Sequence, residues 1–206
     1  MDQQFQTVAL QLIDAGNALS ARGMVPATSG NFSGRLANGD LAITTSGADK
    51  GALALDNIMR TDSGGESYDR RLPSAETLLH VQIYKYFPDA NAVLHVHSLN
   101  ATVISRLEPK CITLSNYELL KALPGIDTHE TSIDIPVFAN DQHIPRLAQA
   151  VDDYMNQHEN QHAAPLAYLI EGHGFYTWAG DVKQALKYVE ALEFLFSCEL
   201  LARRST

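Results

Sequence analysis

The chain has 206 residues, 45% of them hydrophobic and 19% charged, which is enough for one ordinary domain with a substantial core. Lys and Arg number 15 against 24 Asp and Glu, a net charge of −9, which is the wrong balance for a nucleic-acid groove. No run approaches the roughly 20 apolar residues that span a bilayer, and the start, Met1-Asp2-Gln3-Gln4, lacks the basic residues of a signal peptide. These features lead to the expectation of a soluble, cytoplasmic protein that meets neither membrane nor nucleic acid. Cys111 and Cys198 are read as reduced, structural thiols.

In chain order, Phe5, Val8, Leu12, Ala15 and Leu19 recur at three- and four-residue steps and predict a helix over residues 2–22, stopped by Gly23. A loop from Met24 runs into a strand ending near Leu36, and Asn38-Gly39 turns the chain back into a strand at Leu41 to Thr44. A second glycine loop occupies Thr45 to Gly51, Leu55 to Arg60 reads as a strand, and Thr61 to Tyr68 as a mobile surface loop. Pro73-Ser74-Ala75-Glu76 has the form of a helix start, and that helix extends to Phe87. Ala92 to His97 is a short β-type run, and Ser98 caps a helix to about Leu107. Ile112 to Leu114 predicts a strand, Asn116 to Leu123 a helix, Ile133 to Phe138 a strand and Asp141 to Gln157 a helix. Ala167 to Ile170 and Phe175 to Trp178 are strands flanking Glu171-Gly172-His173-Gly174, and Asp181 caps a last helix to about Arg203. The pattern predicts an α/β fold in one domain over residues 1–206: a central, mostly antiparallel sheet covered by helices in three layers.

Eight histidines are the unusual feature of the composition. Side chains alternate along a strand, so His95 and His97 point the same way and can both reach one ion at about 2.0–2.1 Å. His173, between two glycines at the end of an apolar strand, is the best-placed third ligand, although the same glycines also suit a plain turn. His80, His129, His143, His158 and His162 read as helix-face or loop residues.

Ser29-Gly30-Asn31 and Thr45-Ser46-Gly47, with Lys50 nearby, offer N–H groups, hydroxyls and a cation suited to an anion, and Ser74 can add a helix start. Read alone, such loops are more often simple turns. Two carboxylates are acid/base candidates. Glu76 lies one turn before His80 and also fits a first-turn acid, while Glu118 also fits a helix-face partner of Lys121.

Together, Thr28-Ser29-Gly30-Asn31-Phe32-Ser33, Thr45-Ser46-Gly47, Pro73-Ser74-Ala75-Glu76, His95-Val96-His97-Ser98 and Gly172-His173-Gly174, in this order, resemble the class II aldolase/adducin family across nearly the whole chain. Pro73 to His80, Tyr117 to Leu123 and Gly172 to Trp178 look most like its dehydratase branch. The resemblance implies one zinc ion per subunit on His95, His97 and His173, and phosphate around Asn31, Ser46, Gly47 and Ser74. It further implies a homotetramer with active sites near subunit boundaries. In the dehydratases Glu118 matches the acid/base, whereas Glu76 matches that of the sugar-phosphate aldolases, whose motif usually has a second serine where this chain has Ala75. The activity implied is dehydration of 5-methylthioribulose 1-phosphate through an enediolate, in methionine salvage. An aldolase or epimerase using the same zinc site is the enzymatic alternative, and a metal-free adducin-like binding module is the non-enzymatic one. Tyr117, Phe175, Tyr176 and Trp178 are candidate walls of the substrate pocket, or core residues.

Overall fold

In a computed structural model of the chain, residues 2–158 and 165–203 are described, and His162 lies outside them. Eight strands form one sheet in the order β3-β2-β1-β4-β8-β7-β6-β5: β1 Asn31–Arg35, β2 Leu41–Thr44, β3 Ile58–Thr61, β4 Ala92–Val96, β5 Cys111–Ser115, β6 Ser132–Phe138, β7 Ala167–Ile170 and β8 Gly174–Ala179. Every neighbouring pair is antiparallel except β6 and β7. That parallel pair is joined through a helix, α4 (Ile144–His158), the kind of crossover that parallel strands require. The predicted three-layer, mostly antiparallel α/β architecture is therefore the observed one.

Alternation along the strands sorts the core into two layers. Leu94, Val96, Leu169 and Phe175 face one side, where they pack with Leu12 and Leu19 of α1 (Gln3–Ala21), Ile104 of α3 (Leu99–Leu107) and Leu192 and Phe196 of α5 (Val182–Arg203). Val93, Tyr168, Tyr176 and Trp178 face the other, against Leu79 and Ile83 of α2 (Thr77–Tyr86) and Leu147 and Val151 of α4. Because β4 is covered on both sides, all five of its residues are buried, and the run Ala-Val-Leu-His-Val carries one polar side chain into the interior. Neither α1 nor any other helix described is long and apolar enough to cross a membrane.

The caps expected at Gly23, Ser98 and Asp181 form, and Asp2 adds one at the start of α1. Asp2 accepts from the Gln4 N–H at the start of α1, and Met24 N–H to Leu19 O with Gly23 N–H to Ser20 O closes its end. Ser98 Oγ accepts from Ala101 N–H, and Asp181 Oδ1 from Gln184 N–H.

Three stretches differ from the sequence expectation. Leu55–Asn57 is a 3-10 turn, its Asn57 Oδ1 accepting from Ala54 N–H, so the strand begins only at Ile58. Residues 116–123 form a 3-10 turn, Glu118–Ala122, after Asn116 at a positive φ of 62°, instead of an α-helix. Helix α2 begins at Thr77, because Thr77 N–H and Oγ1 both bond the Ser74 carbonyl and Pro73 is bridged to Thr45. Glu76 is thereby left at the helix boundary with no capping bond from its side chain. The stretch 61–68 is stapled by Asp62 Oδ1, which accepts from Gly64 and Glu66 N–H, and by a Thr61–Ser67 bridge.

Candidate active site

The pairing of β4 with β8 assembles the three histidines. Val96 sits opposite Phe175, so His97, just past β4, meets the β7–β8 turn that carries His173. This closeness depends on glycine: a Cβ at Gly174 would lie 2.0 Å from the Val96 carbonyl oxygen. Gly30, at φ +77°, lets the loop before β1 approach equally closely, since a Cβ there would lie 2.6 Å from the His95 carbonyl oxygen. Helix α3 holds the turn from behind, with Thr102 Oγ1 donating to the His173 carbonyl at 3.0 Å and Gly172 N–H donating to Ser105 Oγ at 3.0 Å.

The three imidazoles each present one nitrogen within 4.8 Å of the others. His95 is fully buried; its Nδ1–H donates to the Phe175 carbonyl at 3.0 Å, which leaves the Nε2 lone pair facing the cluster with no hydrogen-bond partner among the described residues. A buried polar atom in that condition costs stability unless something binds it. His97 Nε2 and His173 Nε2 stand only 2.9 Å apart. Burial lowers the pKa of all three, His95 to about 4 and His97 to about 3, so near neutral pH each offers the uncharged form that ligates a metal. Three neutral imidazoles of this kind, one oriented by a backbone carbonyl, can hold a metal ion, and their chemistry fits zinc.

Glu76 adjoins the cluster. Its Oε2 is 3.4 Å from His95 Nε2 and its Oε1 3.7 Å from His173 Nε2. Asn31 Nδ2 and the Tyr176 hydroxyl both donate to Oε2 at 2.8 Å. Burial would raise the pKa of this carboxyl, but the neighbouring His95, the Asn31 bond, His173 and the Tyr176 bond outweigh it and hold it at about 2.

Asn31, Ser46, Gly47 and Ser74, the four residues expected to bind phosphate, line one cleft with Thr28, Lys50, His97 and His173. Lys50 is buried, and its Nζ donates to the Thr28 carbonyl at 2.8 Å and the Ala48 carbonyl at 2.5 Å. One ammonium thus ties the two glycine loops together beneath the cleft, and burial lowers its pKa. The Asn31 side chain is engaged at both ends, by Glu76 and by His80, so here it orients the carboxylate as well as lining the anion side. The β6–α4 segment also lines the cleft, through Asn140, Ile144 and Leu147 among others, none of which the sequence pattern singled out.

Glu118 is placed elsewhere. It lies on the 3-10 turn after β5, its side chain 73% exposed, paired with Lys121 and 3.4 Å from His129 Nδ1. Within one chain it does not meet the histidines. Of the four aromatic residues considered for the pocket walls, Tyr176 reaches the site, stacking on His95 with ring centroids 4.0 Å apart. Phe175 belongs to the opposite core layer, Trp178 packs on Phe87, and Tyr117 donates to Glu199. His80 lies on α2, as expected, on the face that is fully buried, between Ser33 and Asn31.

Known proteins resemble this chain over nearly its whole length. The methylthioribulose-1-phosphate dehydratase of Methylococcus capsulatus (strain Bath) is 55% identical over 96% of this chain and 95% of that one. The protein of the same name from Pseudomonas fluorescens (strain Pf0-1) is 48% identical over 96% and 94%. Among solved structures, the L-fuculose-1-phosphate aldolase from Thermus thermophilus superposes with a TM-score of 0.75 at 22% identity, covering 95% of this chain and 94% of that chain. The sequence profile of the class II aldolase and adducin N-terminal domain matches residues 10–200, and with relatives this similar the chain belongs to that family.

Proposed function

We propose that the chain dehydrates 5-methylthioribulose 1-phosphate to 2,3-diketo-5-methylthiopentyl 1-phosphate, a step of methionine salvage, as a zinc-dependent hydro-lyase. The observation that carries this reading is the near full-length likeness to relatives of that name. The site supports it with an orphaned His95 Nε2 in a three-histidine cluster and a polar cradle beside it. Bound at His95, His97 and His173, zinc would polarise the substrate ketone and acidify the neighbouring C–H.

The phosphate is held by Ser46, Gly47 and Ser74 and the loop backbone at Asn31, with Lys50 fixing the two loops. The reaction removes the C3 proton and expels the C4 hydroxyl as water, and the resulting enol becomes the diketone. One carboxylate can serve both proton transfers in turn. We assign that role to Glu118, which reaches a cleft only from a neighbouring subunit; the unit is a cytoplasmic homotetramer with its sites at subunit boundaries. A specific observation favours a second reading for the proton carrier: Glu76 is the carboxylate that the chain itself places beside the histidines.

Zinc-loaded protein incubated with 5-methylthioribulose 1-phosphate should yield a product lighter by one water in mass spectrometry, and chelated protein should not. Substrate that survives intact while zinc is bound would move the chain to an aldolase or epimerase reaction.

A further inference from the structure

A continuous row of buried polar side chains runs from the rim of α2 to the Glu76 carboxylate. The Tyr84 hydroxyl is 2.8 Å from Ser33 Oγ, and Ser33 Oγ is 2.7 Å from His80 Nδ1. His80 Nε2 is 2.5 Å from Asn31 Oδ1, and Asn31 Nδ2 is 2.8 Å from Glu76 Oε2. Ser33 and His80 are fully buried, and Asn31 and Tyr84 are 5% and 7% exposed.

The direction of every bond follows from the carboxylate. Glu76 is an acceptor, so Asn31 must turn its amide nitrogen toward it and its oxygen toward His80; the flipped amide would face oxygen to oxygen. Asn31 Oδ1 can only accept, so His80 carries its proton on Nε2. A neutral imidazole protonated there accepts at Nδ1, so Ser33 must donate its hydroxyl to His80 and accept from Tyr84. Burial supports both assignments, lowering the pKa of His80 to about 4 and raising that of Tyr84 well above its usual value. All the donors therefore point toward one oxygen of Glu76, and Tyr176 points at the same oxygen from the other side.

We propose that His80, as the Nε2–H tautomer, is a positioning residue of the reaction: through Asn31 it saturates Glu76 Oε2 and leaves Oε1 as the oxygen presented to the cleft. Among the described residues Oε1 finds no hydrogen-bond donor, and it stands 3.7 Å from His173 Nε2, at the cluster where the substrate oxygens must sit. The inference rests on the second reading of the proton carrier, in which Glu76 works beside the zinc-binding histidines. His80 itself touches neither cleft nor ligand; it acts through Asn31.

The test separates these levels. In zinc-free protein at pH 7.5, ¹⁵N spectra of the histidine rings should show His80 protonated on Nε2 and bare on Nδ1. Protonation on Nδ1 alone, or on both nitrogens, would overturn the proposal without any activity being measured. In the zinc-loaded enzyme, His80→Gln keeps an N–H toward Asn31 and should retain kcat within a few-fold. His80→Leu removes it and should lower kcat about 10–100-fold, with KM and zinc content near wild type, the range seen when a partner behind a site residue is lost. Equal kcat in both variants sinks the positioning role. Should His80→Leu fail to fold, Asn31→Asp supplies the second measure: it places an acceptor against Glu76 and should likewise depress kcat, and an undiminished kcat contradicts the proposal. Full activity of Glu76→Gln with zinc bound would instead count against the part assigned to Glu76, whatever the tautomer of His80.

Discussion

Two carboxylates in this chain occupy opposite surroundings. Glu76 lies where β1, β4, β8 and the start of α2 converge, receives two donated hydrogen bonds, and is held ionised with a pKa near 2. Glu118 lies on a short 3-10 turn beyond the edge strand β5, 73% exposed, in an ion pair with Lys121 that water and salt screen. The first is positioned by the folded chain alone, at the cost of burying a charge, which its donors offset. Among the described residues the second pairs with Lys121 and His129, both themselves partly exposed, and these leave it in solvent. In the proposed homotetramer a neighbouring subunit supplies the surface that fixes Glu118, whereas Glu76 needs none.

The largest effect is expected at the metal. Replacing His97 by Ala should abolish zinc retention and with it nearly all activity, read by metal analysis of the purified protein; retained zinc at wild-type stoichiometry would remove His97 from the ligand set. Glu118→Gln should keep zinc and the fold while lowering kcat about 10²–10⁴-fold, the usual share of a positioned acid/base. An active Glu118→Gln enzyme would transfer the role to Glu76.

A smaller effect is expected in the fold around the histidines. Gly174→Ala forces a Cβ to within 2.0 Å of the Val96 carbonyl, and should destabilise the protein by about 1–3 kcal/mol, the usual cost of overpacking. Chemical denaturation measures it. The same replacement at Gly39, where a Cβ would meet nothing within 4 Å, should cost only the strain of its positive φ of 89°.

The smallest effect is a slope with pH. His80 is neutral and buried, with its pKa lowered to about 4 from the ordinary 6.5. Between those values the unfolded chain binds a proton that the folded chain refuses, so stability rises with pH across that window and is lost as pH falls from 6.5 toward 4. The contribution is about 1.4 kcal/mol per pH unit. Denaturation midpoints of wild type and His80→Gln, compared from pH 4 to 7 in zinc-free protein, should converge at the acid end, and parallel curves would show that His80 is not the group concerned.

Much of the fold was legible in the sequence because its signals are local. The stripe of α1, the Asn38-Gly39 turn, the apolar run at Ala92 and the caps at Ser98 and Asp181 each act within a few residues. The errors fall where local patterns compete. Pro73-Ser74 looks like a helix start, but the pairing of Pro73 with Thr45 holds that stretch as a turn and delays α2 to Thr77. The run 116–123 has helix-forming residues yet only enough length, before Pro124, for a 3-10 turn. At the site, the His-x-His spacing and the glycines beside His173 carry their geometry in the sequence. The link from His80 to Asn31 to Glu76 does not, because it spans 49 residues and depends on the β1–β4 register that sets Asn31 opposite His95. The spacing of Glu76 and His80 on one helix face was its only local trace.

Central to this picture is a division of the chemistry between a histidine cluster held by one chain and a carboxylate, Glu118, delivered by another. Co-expression of the His97→Ala and Glu118→Gln chains, each inactive alone, tests it most directly. Mixed oligomers should recover dehydratase activity, since a Glu118→Gln subunit supplies intact histidines and its neighbour supplies the intact carboxylate. Mixed oligomers that form but stay as inactive as either parent would contradict the claim.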